Sequence, residues 1–369
     1  MERFLGFFFV LLLVPLSVAL GQNTLPPQPV QPQPAGPAKV PSHPAPGGTD
    51  RQITLDVHVT DRSGASVRGL QKEDLTLLDD KQPQNILSFR AVNGGGTSTA
   101  DPPVEIVLVV DAVNASFRSV ALERDAVKKF LLRNGGKLAQ PVSLIIFSDA
   151  GTATQNGSSR DGNALAALLD QYETGLRSSK RSQGFYGATE RFSMLLNALT
   201  SLAESEGTRP GRNLMIWISP GWPLLSGPNV ELSDRDELQI FQSIVTASTT
   251  LRQAHITLYS VDPLGSADAG GVRTSYYKEF LKGVKSPSRA LPADLGLQVL
   301  AVQSGGLVFN TTNDLTSAIA NCVADADAFY VLSFNTPPAD GPNEYHAIEV
   351  TVDKPGITAR TRTGYYAQP

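Results

Sequence analysis

A nearly continuous apolar run over residues 104–110, ending in Asp111, is the feature that most constrains the fold. A strand without polar alternation is typical of a parallel sheet that is covered on both faces. Four more short apolar runs alternate with helical periodicities, at residues 142–147, 214–218, 256–261 and 307–309. The pattern predicts an α/β fold built on a doubly wound, mainly parallel sheet.

Six helices are predicted between these runs, at residues 121–133, 162–172, 192–206, 233–253, 294–303 and 315–324. Ser233, followed by Asp236 and Glu237, is typical of a helix N-cap. The single cysteine, Cys322, has apolar neighbours at helical spacing and is predicted to be a buried, unreactive thiol. Since one cysteine cannot form an intrachain disulfide, stability must come from the core.

Alternating strands flank the predicted α/β domain, which we place at residues 104–325. The N-terminal β segment, residues 51–93, contains the period-2 pattern of a strand with one wet face. The C-terminal β segment, residues 326–369, contains three further strand patterns. Neither segment has enough strands to be stable alone. We therefore expect the two to form one accessory antiparallel β module.

The first 50 residues predict export. Residues 1–21 have Arg3, an apolar stretch and small residues at Ala19 and Gly21, as in a cleaved signal peptide. Residues 22–50 are rich in Pro, Gln, Ala and Gly and predict a disordered linker. The protein is expected in the periplasm, at the cell surface or outside the cell. Membrane attachment requires that the apolar segment be retained as an anchor.

Charge and motifs exclude several functions. The net charge is −4, and no run is rich in Lys or Arg, which argues against binding of nucleic acid or anionic lipid. The four histidines have no second ligand at metal spacing, and neither a nucleophile elbow nor a phosphate-binding loop is present. We predict no catalytic residues, no enzymatic activity and no cofactor.

Polar residues near the ends of the predicted strands form the candidate binding site. Asp111, Asp149 and Asp262 each follow an apolar run, and Asn114 and Thr189 are expected beside them. One hypothesis is a cation site or polar ligand cleft. The other is that these aspartates cap helices and accept hydrogen bonds from loop amides. Too few charged ligands are present for Mg²⁺ or Ca²⁺, which favours the second.

Trp222 lies in an unusually apolar loop, residues 220–225, after another predicted strand. An exposed aromatic residue flanked by prolines is typical of a protein-contact patch. The same residue could instead be buried beneath the insertion at residues 264–292. The sequence leaves both alternatives open.

The chain resembles the bacterial von Willebrand factor A-related proteins, a group expanded in acidobacteria. The resemblance spans about residues 53–367 and is carried by five blocks: Gly69-Leu70-x-x-Glu73-Asp74-Leu75 with Asp79-Asp80, Leu108-Val109-Val110-Asp111-Ala112-Val113-Asn114, Gly211-Arg212-Asn213-Leu214-Met215-Ile216-Trp217-Ile218-Ser219-x-Gly221-Trp222-Pro223, Tyr259-Ser260-Val261-Asp262, and Arg362-x-Gly364-Tyr365-Tyr366. It implies a von Willebrand factor A-like fold.

The family's metal-ion-dependent adhesion motif is degenerate here. Its members hold a divalent cation with Asp-x-Ser-x-Ser, a threonine and a second aspartate. Asp111 and Thr189 match, but Val113, Ala115 and Pro220 stand at the other three positions. Together with the absence of catalytic motifs, the degenerate motif predicts a non-catalytic module that binds a protein or surface polymer through the carboxyl-end loops, without Mg²⁺ or Ca²⁺. The alternatives are a cation-dependent adhesion module using Asp111 and Thr189, and a cell-envelope hydrolase that no motif supports.

Overall fold

The computed structural model describes residues 51–93, 104–115, 117–148, 151–154, 157–172, 184–209, 211–222, 231–264 and 275–369. The predicted signal peptide and linker lie outside these residues. The strands are β1 Gln52–Asp61, β2 Leu75–Asp79, β3 Gln82–Gln84, β4 Ser88–Asn93, β5 Val104–Asp111, β6 Lys137–Ser148, β7 Gly151–Thr154, β8 Ser159–Asp161, β9 Arg212–Ile218, β10 Ile256–Val261, β11 Val308–Phe309, β12 Ala328–Asn335, β13 Glu344–Val352, β14 Ile357–Arg360 and β15 Gly364–Ala367. The helices are α1 Phe117–Leu131, α2 Gly162–Gln171, α3 Gly184–Gly207, α4 Asp234–Gln253, α5 Leu297–Gln303 and α6 Leu315–Ala324.

The central sheet has the order β11-β10-β9-β5-β6-β7, and β8 also pairs with β6. Strands β11, β10, β9, β5 and β6 are parallel, whereas β7 and β8 run antiparallel at one edge. If β5, β6, β7, β9, β10 and β11 are renumbered 1 to 6 in chain order, the sheet order read from β7 is 3-2-1-4-5-6. This is a doubly wound order that reverses between β5 and β9. The predicted fold class is confirmed.

Successive residues of β5 point to opposite faces, and both faces are covered. Val107 and Val109 pack with α3, α4 and α5 in one apolar layer. Ile106, Leu108 and Val110 pack with α1, α2 and α6 in the other. Burial on both sides explains why this strand has no polar alternation.

Local signals in two helices agree with the structure. Ser233 caps α4, because its hydroxyl accepts a hydrogen bond from the Asp236 amide while the Asp236 carboxylate accepts one from the Ser233 amide. Cys322 lies in α6 and is fully buried, and burial raises the pKa of its thiol well above the usual value. Among the described residues, no helix combines the length and apolarity that crossing a membrane requires.

The accessory module is a sandwich of two antiparallel sheets, with orders β14-β1-β12-β4 and β15-β13-β2-β3. Each sheet contains strands from both terminal segments; Leu55 of β1 pairs with Leu332 of β12, and Leu77 of β2 pairs with Val350 of β13. Their inner faces form one apolar core. The expected module built from both segments is thus confirmed, because each sheet is incomplete without the other segment. The exact domain boundaries stay a prediction.

A buried ionic network joins the sandwich to the central sheet. Arg212, at the amino-terminal end of β9, contacts Asp56 of β1 with its Nε 3.0 Å from a carboxylate oxygen. Arg360 of β14 and the hydroxyl of Tyr259 both donate to Asp325. Burial and the two nearby arginines hold the pKa of His58 well below its usual value. This junction lies at the end of the sheet opposite Asp111.

Candidate binding site at the carboxyl-terminal edge of the sheet

The carboxylate of Asp111 lies at the point where the strand order reverses. Its Oδ1 accepts hydrogen bonds from the backbone amides of Val113 at 2.8 Å and Asn114 at 3.1 Å. Its Oδ2 accepts from Asn114 Nδ2 at 2.9 Å, Trp217 Nε1 at 3.2 Å and Ser219 Oγ at 2.9 Å. Trp217 belongs to β9 and Ser219 follows it directly. Asp111 therefore fixes its own loop and ties β5 to β9 across the switch point.

This carboxylate does not fit a cation. Asp111 is fully buried, and burial raises its pKa, while hydrogen bonds from Asn114, Ser219 and Trp217 act in the opposite direction. A carboxylate offers about four lone-pair sites, which the five donors occupy. Hard cations also need several further oxygen ligands. The neighbouring Val113 is buried and has no side-chain oxygen to contribute.

A second buried acid, Glu123, was missed in the sequence. Its side chain lies in α1, is fully buried, and has no hydrogen-bond partner for either carboxylate oxygen among the described residues. Burial, followed by the negative charges of Asp111 and Asp262, raises its pKa well above the usual value. Burial and these charges therefore favour the neutral form of Glu123. The available signal was its spacing, because Val120 and Val127 place it on the buried face of the helix.

The other candidate residues have different surroundings. Asn114 is half-buried and contacts Asp111 directly. Asp262 follows β10, and its Oδ1 accepts a hydrogen bond from the Leu264 amide at 2.8 Å, as expected of a loop organiser. Thr189 is half-buried in α3. Asp149 lies outside the described residues. The structure thus brings Asp111 and Asn114 together and places Asp262 in the electrostatic environment of Glu123.

Trp222 is buried, with 4% of its surface exposed, so its interpretation as an exposed contact residue is corrected. Its ring packs edge-to-face on Trp217, with centroids 5.5 Å apart, and on Phe192 at 6.4 Å. The turn after β9 directs it inward, since Gly221 has a φ of +103° and its amide donates to Ser219 Oγ. Burial of this large aromatic ring stabilises the core, whereas exposure of the ring to solvent would not. Residues 223–225 of the predicted patch lie outside the described residues.

No protein-family model matches the chain, and no curated protein matches it. Among solved structures, the pilus adhesin SpaC from Lactobacillus rhamnosus GG aligns with 11% identity and a TM-score of 0.37, over 85% of this chain and 48% of the adhesin. This chain therefore spans about half the length of that adhesin. The conserved hypothetical protein BatB from Bacteroides thetaiotaomicron aligns with 15% identity and a TM-score of 0.32, over 61% of this chain and 98% of its own. The manganese-loaded TRAP protein of Plasmodium vivax aligns with 10% identity and a TM-score of 0.34, over 75% of this chain and 97% of its own.

Proposed function

We propose that the protein is an exported, non-catalytic module that binds another protein or a surface polymer through the carboxyl-end loops of its central sheet. The observation that carries this proposal is the Asp111 network at the switch point between β5 and β9. In open α/β sheets, ligands bind outside the carboxyl ends of the strands at such a point. The sequence resemblance to von Willebrand factor A-related proteins supports binding at the same edge of the sheet.

The network favours binding because it organises the loop before any partner arrives. Asp111 accepts hydrogen bonds from two successive backbone amides and from the Asn114 side chain, which leaves the loop little conformational freedom. A loop that is already ordered loses less entropy on association, and affinity rises accordingly. Ala115, the next residue, packs against the apolar layer beneath the loop, whereas Thr152 of β7, level with Asp111 through Phe147, is exposed at this edge and can meet a partner.

We propose no catalytic activity at the switch point. A general acid or base must come within hydrogen-bond reach of the substrate. Asp111 and Glu123, the fully buried carboxyl groups of the switch point, have no exposed surface through which to do so. The cell-envelope hydrolase is therefore disfavoured.

One observation favours the cation-dependent alternative. Glu123 is buried without a hydrogen-bond partner among the described residues, in the field of Asp111 and Asp262, and a divalent cation would offset this negative charge. A proton on Glu123 relieves the same repulsion without new ligands. Since Asp111 already has five donors, we propose the proton and assign no cofactor to this edge.

Site-directed photocrosslinking on cells of the source organism tests the proposed binding edge. A photoreactive phenylalanine analogue replaces the exposed Thr152 at the carboxyl-end edge, or the exposed Thr208, just after α3 at the amino-terminal end of the sheet. We expect a discrete adduct with a protein or polymer from position 152 only. Thr152→Arg should then weaken binding to that partner at least tenfold, whereas Thr208→Arg should not. Equal labelling from both positions contradicts the assignment of this edge.

A further inference from the structure

Three side chains of residue types that ligate metals meet in the sandwich, outside the central sheet. Asp79 ends β2, Asp80 begins the turn to β3, and His346 lies on the neighbouring strand β13. His346 Nδ1 is 2.9 Å from Asp79 Oδ1 and 3.9 Å from Asp80 Oδ2. One donor atom from each residue lies within 4.8 Å of the other two. The three donors therefore converge on one small volume.

The turn geometry directs the Asp80 carboxylate toward the imidazole. Asp80 and Lys81 have φ values of +44° and +68°, which suit a two-residue hairpin turn with both central residues left-handed. The backbone of Asp80 donates to the Ala347 carbonyl, and its Oδ1 accepts from the Ala347 amide at 3.1 Å. These contacts fix the carboxylate, and Oδ2 is its oxygen nearest the imidazole.

Tyr365 of β15 positions the other two groups. Its hydroxyl donates to Asp79 Oδ2 at 2.7 Å, so that Oδ1 is the oxygen facing the imidazole. Its ring stacks on the His346 ring, with centroids 5.0 Å apart and an interplanar angle of 18°. Both restraints act on groups that are themselves buried. The arrangement is that of ligands held in place by a surrounding shell.

The other ring nitrogen of His346, Nε2, is buried and has no hydrogen-bond partner among the described residues. A carboxylate oxygen of Glu344 lies 3.9 Å from it. A metal-ligating histidine usually directs its other N–H to a carboxylate or carbonyl group, and this contact is not made here. The evidence for a cation is therefore the convergence of Asp79 and Asp80 on Nδ1, to which Glu344 adds a third negative charge nearby.

We propose that His346 Nδ1, Asp79 Oδ1 and Asp80 Oδ2 bind a divalent transition-metal ion of the Zn²⁺ class. Zn²⁺ binds imidazole nitrogen and carboxylate oxygen at about 2.0–2.2 Å, which gives tetrahedral donor–donor distances of about 3.3 Å. The observed separations of 2.9 and 3.9 Å lie on either side of this value. Mg²⁺ and Ca²⁺ are excluded as the preferred ions because they take oxygen ligands. Water completes the shell on the side of Asp80, whose side chain is 41% exposed.

Such an ion would link the β2–β3 turn to β13. The competing interpretation is a hydrogen-bonded Tyr365–Asp79–His346 chain that holds the same strands without metal. The two interpretations differ at Asp80 Oδ2. This oxygen is a ligand if a metal ion is bound, but it takes no part in the Tyr365–Asp79–His346 hydrogen bonds. Asp80→Asn separates them, because asparagine tolerates the left-handed backbone and retains an oxygen for the Ala347 amide.

Isothermal titration of Zn²⁺ into the tag-free, chelator-treated chain tests the proposal. We expect one Zn²⁺ per chain, at least tenfold weaker binding in Asp80→Asn, and loss of binding in His346→Gln. Glu349→Gln, an exposed substitution on the same strand, should bind as the unchanged protein does. Tyr365→Phe should weaken affinity by about 10–100-fold, as expected for an outer-shell partner.

Thermal melting in the same series checks that each variant is folded. Zn²⁺ should raise the melting temperature of the unchanged chain and of Glu349→Gln, but not of Asp80→Asn. The proposal is overturned if the folded chain binds no Zn²⁺. It is equally overturned if Asp80→Asn is folded and binds Zn²⁺ as tightly as the unchanged chain, since the ion then lies elsewhere.

Discussion

Asp111 ends a strand of the central sheet and Asp80 follows a strand of the sandwich, but their carboxylates have different surroundings. Asp111 is fully buried and accepts five hydrogen bonds from its own chain. Asp80 is 41% exposed and has an oxygen 3.9 Å from an imidazole nitrogen. A carboxylate whose lone pairs are already occupied by hydrogen-bond donors is a poor cation ligand, whatever its position in a sequence motif.

The two regions also differ in how they accommodate a buried polar atom without a partner. Burial, together with the negative charges of Asp111 and Asp262, raises the pKa of Glu123 and favours its neutral form. His346 has carboxylate oxygens of Asp79, Asp80 and Glu344 at 2.9, 3.9 and 3.9 Å from its ring nitrogens. The excess negative charge is relieved by a proton at Glu123 and, in the arrangement proposed above, by a metal ion at His346.

Trp222→Ala should give the largest effect, because the ring forms part of the apolar wall behind Trp217 and the Asp111 network. Truncating a buried aromatic residue costs about 3–5 kcal/mol. We expect the free energy of unfolding, measured by urea denaturation, to fall by about 4 kcal/mol. Trp222→Phe is the matched control and should lose less. A loss below about 1 kcal/mol for Trp222→Ala would show that the ring is not core.

Asp111→Ala should have the next largest effect, since it leaves the buried Trp217 Nε1 and Ser219 Oγ without their shared acceptor. Hydrogen bonds to a charged group contribute about 1.5–3 kcal/mol each, and we expect a total loss of about 3 kcal/mol. The measurement is again urea denaturation, with the exposed Asp353→Ala as control. Equal stability of the two variants would contradict the structural role of the network.

Glu123→Gln should have a smaller effect that depends on pH. In the unfolded chain, the pKa of a glutamate is about 4.3. In the folded chain the pKa of Glu123 is raised, so its proton is retained to higher pH. Stability linked to this proton is therefore complete below about pH 4.3 and is lost as the pH rises toward the raised folded pKa. Glutamine has no proton to lose. Glu123→Gln should be more stable than the unchanged chain at pH 8 by about 1 kcal/mol, and the difference should disappear near pH 4.

The measurement for Glu123 is the free energy of unfolding between pH 4 and 8. Glu204→Gln, an exposed substitution on α3, is the control and should show no such pH dependence relative to the unchanged chain. Glu123→Gln could instead be less stable than the unchanged chain at pH 8. The ionised carboxylate would then make a favourable contact in the folded chain, and the proposed protonation of Glu123 would be wrong.

Mg²⁺ should have the smallest effect, namely no shift in melting temperature. A site filled at 100 times its dissociation constant would stabilise the fold by about 2.7 kcal/mol. We expect none of this from Mg²⁺, because Asp111 is saturated and the sandwich cluster contains an imidazole. An Mg²⁺-dependent rise that Asp111→Ala or Glu123→Gln abolishes would instead support the cation-dependent alternative.

Part of the candidate site could be predicted from the sequence, because Asp111 and Asn114 lie in one short segment after a recognisable strand. The role of Trp222 could not, since the direction of a single aromatic residue depends on the turn at Gly221 and on Phe192 in a distant helix. The sequence also gave no sign of β7 and β8, the short antiparallel edge strands. They are only four and three residues long and too exposed to leave an apolar pattern.

The doubly covered strands, most helices, the cap of α4 and the need for the two β segments to combine can all be predicted from the sequence. These features depend on local periodicity and on how much apolar surface a segment must bury. The hydrogen-bond partners of each carboxylate, in contrast, depend on tertiary contacts. Trp217 and Ser219 reach Asp111 across more than 100 residues of chain, and His346 reaches Asp79 across 267. Contacts between such distant residues form only when the sheets assemble, so spacing along the chain carries no record of them.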